Sequence, residues 1–360
     1  MSAAGPPQGA NSAPAGGSAA AEPQAWGDHA RPLPWQTAAA TQLLSRLERW
    51  SHAQLITGPA GIGKGVLAHW LARALLCESP SDARTPCGTC ASCRYAAAGQ
   101  HPDLRVVEPV DPGDDEAKPT EWIAVDRIRA LIRWAALTSH RGGAKVALIV
   151  PAERMNAAAA NALLKTLEEP PADTYFMLVS HQPGRLPATI TSRCQRIVAP
   201  RPTEAQGLAW LADQGFASAG DVLAQANFAP LAAGALADAG YQSERASWLD
   251  ALASPQALSV TALGARIDTG AREARRDRLA AAIDWLLAWC ADLARVRAGG
   301  APVQNPDFRV QLTSLAGAVA AIPLFRYHRS LLRQRSLLAH PLQPRLVAEA
   351  LLIDYRDLFR

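Results

Sequence analysis

Short apolar runs alternate with helical repeats of apolar residues over the first 200 positions. Three runs bounded by turn residues are typical of buried strands: Ala53–Thr57, Lys145–Val150 and Tyr175–Ser180. The segment after the first run repeats its apolar residues at intervals of three and four: Val66, Leu67, Trp70, Leu71, Ala74 and Leu75. Because strands that alternate with helices favour a parallel sheet covered on both faces, we predict an α/β domain over residues 31–200.

The pattern changes after Pro202, where strand-like runs give way to helical stretches separated by Gly and Pro. We predict a small helical domain over residues 201–249 and an all-α domain over residues 250–360. One amphipathic stripe of the second domain comprises Leu279, Ile283, Leu286, Cys290, Leu293 and Val296. Such a stripe is compatible with either a self-contained bundle or an oligomeric collar.

The composition narrows the class of protein. Of 360 residues, 49% are hydrophobic and 19% are charged, which is typical of a globular chain with a sizeable core. Residues 1–30 are the exception, since their Ala, Gly, Pro and Ser bury too little apolar surface to offset chain entropy; we predict a disordered tail. No segment has the features of a signal peptide or the roughly 18–20 apolar residues of a membrane span, so we expect no membrane partner and a cytoplasmic location.

A glycine-rich loop over Gly58–Gly65 follows the first predicted strand. Gly58, Gly63 and Lys64 match the phosphate-loop pattern G-x-x-x-x-G-K, and Gly61 lies within it. In such a loop, backbone N–H groups and the lysine surround a triphosphate. The next position normally carries a Ser or Thr hydroxyl that binds Mg²⁺, and here it is Gly65.

The second magnesium-organising group is also missing. An acid is expected directly after another buried strand, but the run that ends at Val150 is followed by Pro151 and Ala152, with Glu153 one place too late. We therefore expect no Mg²⁺, weak or absent ATP binding and no hydrolysis at this loop. A glycine-rich turn that binds nothing remains the alternative.

Four of the six cysteines cluster in the sequence: Cys77, Cys87, Cys90 and Cys93. Four thiolates enclose a tetrahedral Zn²⁺ with no open position, so this spacing predicts a structural zinc site. Scattered buried thiols, a redox C-x-x-C pair and a nucleic-acid-binding zinc finger are the alternatives. The basic and aromatic residues nearby, Arg84, Arg94 and Tyr95, give the last one little support.

Taken together, these motifs resemble the clamp-loader branch of the AAA ATPases. The resemblance rests on the phosphate loop, the cysteine insert and four further stretches: "HPD" (His101–Asp103), "GGAKV" (Gly142–Val146), "NALLKTLEEPP" (Asn161–Pro171) and "LPATITSRC" (Leu186–Cys194). It implies an AAA-type P-loop domain with a zinc-binding insert, a small helical lid over residues 201–249 and a helical collar for oligomerisation over residues 250–360.

The resemblance also implies a role for single residues. Arg193, in "SRC", would be an arginine finger that enters the ATP site of a neighbouring subunit. The helix before Pro170 would lie near that seam, with Glu168 and Glu169 available to polar partners.

The implied partners are gamma/tau-type motor subunits and a delta subunit of DNA polymerase III, with the sliding clamp and primed DNA reached through the assembly. The losses at Gly65 and Pro151 favour a stationary, non-hydrolysing member of the ring. Two other readings remain open: an ATP-hydrolysing motor subunit, and a free-standing zinc-dependent nucleic-acid-binding protein.

Overall fold

A computed structural model describes residues 31–109, 122–216, 219–338, 340 and 343–360. The predicted disordered tail of residues 1–30 lies outside the described residues. The chain forms two compact units whose described parts divide between Ala235 and Leu236. The predicted border between lid and collar after residue 249 stays a prediction.

The first unit contains a five-stranded sheet in the order β2-β3-β4-β1-β5, with every pair parallel. Its strands are β1 (Ala53–Thr57), β2 (Leu104–Val107), β3 (Lys145–Ile149), β4 (Thr174–Ser180) and β5 (Gln195–Val198). The three predicted strands and the parallel arrangement are confirmed. The two edge strands, β2 and β5, were not predicted.

Both faces of the sheet are covered, as alternate residues of β4 demonstrate. Phe176 and Leu178 join one buried cluster, while Met177 and Val179 join another on the opposite face. The nine helices described in this unit are α1 (Thr37–Leu44), α2 (Lys64–Leu76), α3 (Ala91–Ala97), α4 (Val125–Ala135), α5 (Ala157–Glu168), α6 (Ala188–Thr191), α7 (Glu204–Asp213), α8 (Ala219–Gln225) and α9 (Pro230–Leu236). Residues of α4, α5 and α6 fill the first cluster, and residues of α1 and α2 fill the second.

Helices are the only regular secondary structure among the described residues of the second unit. Its helices are α10 (Ala239–Leu252), α11 (Val260–Ile267), α12 (Arg272–Arg297), α13 (Arg309–Ala318), α14 (Ala321–Ser336) and α15 (Pro344–Asp357). The predicted stripe of α12 packs at the centre of one continuous apolar core. Two aromatic side chains inside that core are hydrogen-bonded: Trp289 Nε1 donates to Tyr355 Oη (2.9 Å), which donates to the carbonyl of Leu252 (2.7 Å).

Among the described residues, no single helix is long and apolar enough to cross a membrane. One sharply bent pair, Pro306–Ala318 with Ala321–Ser336, meets the criterion by length and composition alone.

Candidate functional site

The glycine-rich loop connects β1 to α2, as predicted. Gly61 and Gly63 adopt φ values of +77° and +83°, in the left-handed region that favours glycine. Gly63 is the residue that precedes α2, so the loop leads directly to the N-terminus of that helix. The backbone therefore has the path of a phosphate loop.

Residues from the start of the described chain cover one side of this loop. The Gln36 side chain is completely buried, and its Nε2 donates to the carbonyls of Ile62 (3.1 Å) and Gly63 (2.7 Å). Trp35 Nε1 donates to the same Ile62 carbonyl at 3.0 Å. A Cβ atom on Gly63 would overlap the Leu33 side chain. The loop carbonyls are thus bound by the protein itself.

The start of α9 covers the other side. The Leu231 N–H donates to the Gly61 carbonyl at 3.0 Å. A Cβ atom added to Gly61 would lie 2.5 Å from the Ala232 Cβ and 3.1 Å from that of Ala229. Only glycine therefore permits this close approach of helix and loop.

Lys64, the cation of the loop, is completely buried. Its Nζ donates to the Pro59 carbonyl at 2.5 Å, within the same loop. A triphosphate bound by this lysine would have to separate its Nζ from that carbonyl. In this structure the loop lysine is thus paired within its own loop.

Gly65 and Pro151 stand where the sequence pattern places the magnesium ligands. Gly65 is buried in the first turn of α2, and Pro151 follows β3 closely. Glu153, the acid one position too late, accepts from the backbone N–H groups of His181 (3.0 Å) and Gln182 (3.2 Å). Its carboxylate therefore fastens the chain that leaves β4.

The four clustered cysteines meet beyond the C-terminus of α2. Their sulfur atoms all lie within 4.8 Å of one another, with 4.0 Å between Cys77 and Cys90 and 3.9 Å between Cys87 and Cys93. Thiolates that bind Zn²⁺ at about 2.3 Å lie about 3.8 Å apart at the corners of a tetrahedron. The arrangement of the four sulfurs is compatible with such an ion.

Backbone N–H groups point at these sulfurs. The Cys87 N–H donates to Cys77 Sγ (3.3 Å), the Cys90 N–H to Cys87 Sγ (3.3 Å) and the Cys93 N–H to Cys90 Sγ (3.4 Å). The N–H groups of Cys90 and Thr89 lower the pKa of Cys87 to about 6. Burial has the opposite effect on two of its neighbours: it raises the pKa of Cys93 to about 12 and that of Cys77 above its usual range. The N–H donors therefore favour the thiolate, the form that binds metal, at Cys87.

A group of hydrogen bonds around Glu78, Arg141 and Asp103 joins the cysteine insert to the sheet. Glu78 accepts from Ser92 Oγ (3.0 Å) and Arg141 Nε (2.5 Å), and Arg141 also lies over the Tyr95 ring. Asp103 accepts from the backbone N–H groups of residues 140 (2.8 Å) and 141 (3.0 Å). These hydrogen bonds give Asp103 of the "HPD" stretch a structural role that its position in the sequence did not indicate.

Arg193 lies at the surface just after α6, with a third of its side chain exposed. Its Nε donates to Glu168 Oε1 at 2.8 Å, and its Nη2 donates to the same oxygen. Its Nη1 donates to the Thr189 carbonyl at 2.8 Å. The guanidinium is therefore not buried in the core of its own domain.

Comparison with known proteins identifies the family. The family model described as "DNA polymerase III, delta subunit" matches residues 35–202. DNA polymerase III subunit delta' of Pseudomonas aeruginosa is 46% identical over 218 residues, which are 59% of this chain and 63% of that protein. Subunit delta' of Escherichia coli is 33% identical over 268 residues, 74% of this chain and 77% of that protein. The chain belongs to the delta-prime family of DNA polymerase III subunits.

Delta-prime proteins have relatives among the other subunits of the same polymerase. DNA polymerase III subunit tau of Escherichia coli is 40% identical over 148 residues, which are 41% of this chain and 21% of tau. The chain aligns with somewhat less than two thirds of the Pseudomonas delta-prime protein and with about three quarters of the one from Escherichia coli. Delta-prime membership confirms the resemblance inferred from the motifs.

Proposed function

We propose that this chain is a stationary, non-hydrolysing subunit of a DNA polymerase III clamp loader that supplies Arg193 to the ATP site of a neighbouring subunit. The observation that carries the proposal is a contrast within one domain. Lys64 of the phosphate loop is buried against its own backbone, whereas the guanidinium of Arg193 reaches the surface. Hydrolysis in cis is disfavoured, while donation in trans is preserved.

The finger role follows from the chemistry of phosphoryl transfer. Negative charge develops on the transferring phosphoryl group, and an arginine placed beside it contributes on the order of 10³–10⁵ in rate. Such an effect needs a guanidinium at the protein surface, held in a defined position. Arg193 meets this requirement through its bonds to Glu168 and Thr189.

Assembly would use gamma/tau-type motor subunits and a delta subunit, and would act on the sliding clamp and primed DNA. Large apolar side chains exposed on α14 support an oligomeric role for the second unit: Ile322 (66% exposed), Phe325 (59%) and Leu332 (50%). They recur on one face of the helix, the face that its own core leaves uncovered.

The cysteine cluster would hold a structural Zn²⁺ that folds the insert. Cys77, Cys87, Cys90 and Cys93 supply four thiolates and leave no position for substrate, so the ion would have no catalytic role. The metal content of the purified chain tests this assignment. We expect about one Zn²⁺ per chain, lost in Cys90→Ser and retained in the control Cys194→Ser; retention in both would contradict it.

The finger is tested by replacing Arg193 with alanine in a loader reconstituted with motor subunits. We expect DNA-stimulated ATP turnover to fall by the share of the one site that depends on this chain, while gel filtration finds the assembly intact. Arg185→Ala is the matched control, because Arg185 is exposed two residues before Pro187 at the start of the same segment. Unchanged turnover in Arg193→Ala would contradict the finger assignment.

A phosphate-release assay on the isolated chain separates the proposal from a motor subunit. We expect no magnesium-dependent turnover, because Lys64 is paired within its own loop and both magnesium ligands are missing. Rapid turnover by the isolated chain would favour the motor reading instead.

A further inference from the structure

The contact between Arg193 and Glu168 joins two residues that lie 25 positions apart in the sequence. Glu168 is the last residue of α5, and Arg193 follows α6 by two residues. Both helices are anchored in one apolar core, where Leu167 and Ile190 are at most 1% exposed. The backbone on each side of the contact is therefore fixed by packing.

The position of Glu168 is unfavourable for α5 itself. The C-terminus of a helix carries partial negative charge, so a carboxylate there destabilises the helix unless a cation lies close. His52 Nε2 lies 2.6 Å from the Leu167 carbonyl, and Pro170 prevents the helix from continuing. Glu168 is thus held at the helix end, where Arg193 contacts its carboxylate and Lys165 lies in the same last turn.

The geometry leaves the tip of the guanidinium available. Glu168 uses one oxygen, Oε1, to accept from Nε and Nη2 along the inner edge of Arg193. Thr189 accepts from Nη1, and Ser192 Oγ lies 3.4 Å from the same nitrogen. Nη2 carries two N–H groups, and in a planar guanidinium the second one points outward from this edge.

We propose that Glu168 is a positioning residue for Arg193: it orients the guanidinium at the surface before a neighbouring triphosphate arrives. This inference rests on the finger function proposed above. An unrestrained arginine side chain samples many rotamers, and ordering it at the moment of reaction would slow the step. Glu168 removes most of this freedom in advance.

The strength of the pair suits this role. Glu168 is 48% exposed and Arg193 33% exposed at their side chains, and an ion pair in such a setting changes populations by at most about fivefold. That is enough to select one arrangement of the side chain. It is too little to withhold the guanidinium from a triphosphate carrying several negative charges.

The test is a double-mutant cycle in the reconstituted loader. We expect Glu168→Ala to lower the finger-dependent ATP turnover about two- to fivefold, with assembly unchanged. Glu168→Gln should retain part of the activity, because its amide oxygen still accepts from Nε. In the Arg193→Ala background, Glu168→Ala should have no further effect. Asp213→Ala is the matched control, since Asp213 is likewise an exposed carboxylate at the last residue of a helix, α7.

The NMR signal of the Arg193 Nε–H reports the contact in the chain alone. We expect this signal to be protected from solvent exchange in the parent chain and in Asp213→Ala, and to lose protection in Glu168→Ala. Equal protection in all three variants would overturn the proposal, and so would a rise in turnover in Glu168→Ala, because the carboxylate would then restrain the finger.

The outcomes also separate the two proposals. If Arg193→Ala lowers turnover but Glu168→Ala does not, the finger stands and the role of Glu168 is wrong. If Arg193→Ala itself has no effect, the finger function fails, and the positioning role fails with it. Equal melting temperatures for Glu168→Gln and the parent chain would establish that folding is not the cause of any difference.

Discussion

Gln36 holds one side of the phosphate loop through hydrogen bonds, and its replacement by alanine tests how much these bonds stabilise the loop. The side chain makes three hydrogen bonds: Nε2 donates to the carbonyls of Ile62 and Gly63, and Oε1 accepts from the Leu33 N–H at 3.2 Å. The Ile62 carbonyl keeps a second donor, Trp35 Nε1. The Gly63 carbonyl also accepts from the Leu67 N–H at 3.1 Å. Gln36→Ala therefore removes the acceptor of the Leu33 N–H, whereas each of the two carbonyls keeps a donor.

The magnitude follows from these contacts. Each hydrogen bond contributes about 1 kcal/mol, and a buried donor left without a partner costs about 1–3 kcal/mol. We expect Gln36→Ala to lower the free energy of unfolding of the first unit by about 2–4 kcal/mol. For a unit of about 200 residues this lowers Tm by about 5–15 °C.

Circular dichroism during heating measures the change, and hydrogen exchange over residues 58–66 localises it. Gln42→Ala is the matched control, since Gln42 is exposed on α1. We expect faster exchange of the loop only in Gln36→Ala. If both variants melt and exchange like the parent chain, the loop is not held by Gln36 in solution.

Two further predictions concern the same domain. Gly61→Ala should destabilise the chain more than Gly99→Ala in urea unfolding. Both glycines have positive φ, but only a Cβ on Gly61 meets Ala232. Equal losses of unfolding free energy would mean that α9 does not pack on the loop. Burial and the nearby Arg73 lower the pKa of His69 from 6.5 to about 4. Between these values the unfolded chain binds the extra proton, so stability should rise with pH by up to about 1.4 kcal/mol per unit. His69→Gln should flatten this dependence, and an unchanged slope would contradict it.

The sequence predicted those strands that are buried on both faces. β1, β3 and β4 occupy the centre of the sheet and read as continuous apolar runs. β2 and β5 are four-residue edge strands that include arginines, Arg105 and Arg196, on exposed positions. An edge strand is covered on one side only, so its composition lacks the apolar signal. Periodicity therefore found the central strands and missed the edges.

The candidate site was predicted to the extent that its residues lie close in sequence. The spacing of Cys87, Cys90 and Cys93 on one turn predicted the sulfur cluster. The cover that Gln36 places over Gly63, 27 positions away, has no local signal, because a glutamine before a helix is unremarkable. The pairing of Glu168 with Arg193 likewise depends on how α5 and α6 pack. Contacts between distant segments are fixed by the tertiary fold rather than by local pattern.

The residues that pack against the phosphate loop come from the same chain, and this has a thermodynamic consequence. A domain that binds a nucleotide gains stability with the concentration of that ligand, because only the folded state binds it. Here Leu33, Trp35 and Gln36 pack against one side of the loop, and they belong to the same polypeptide. Their effective concentration is constant. If this loop binds nucleotide weakly or not at all, as its sequence predicts, the fold of this domain depends little on the supply of ATP.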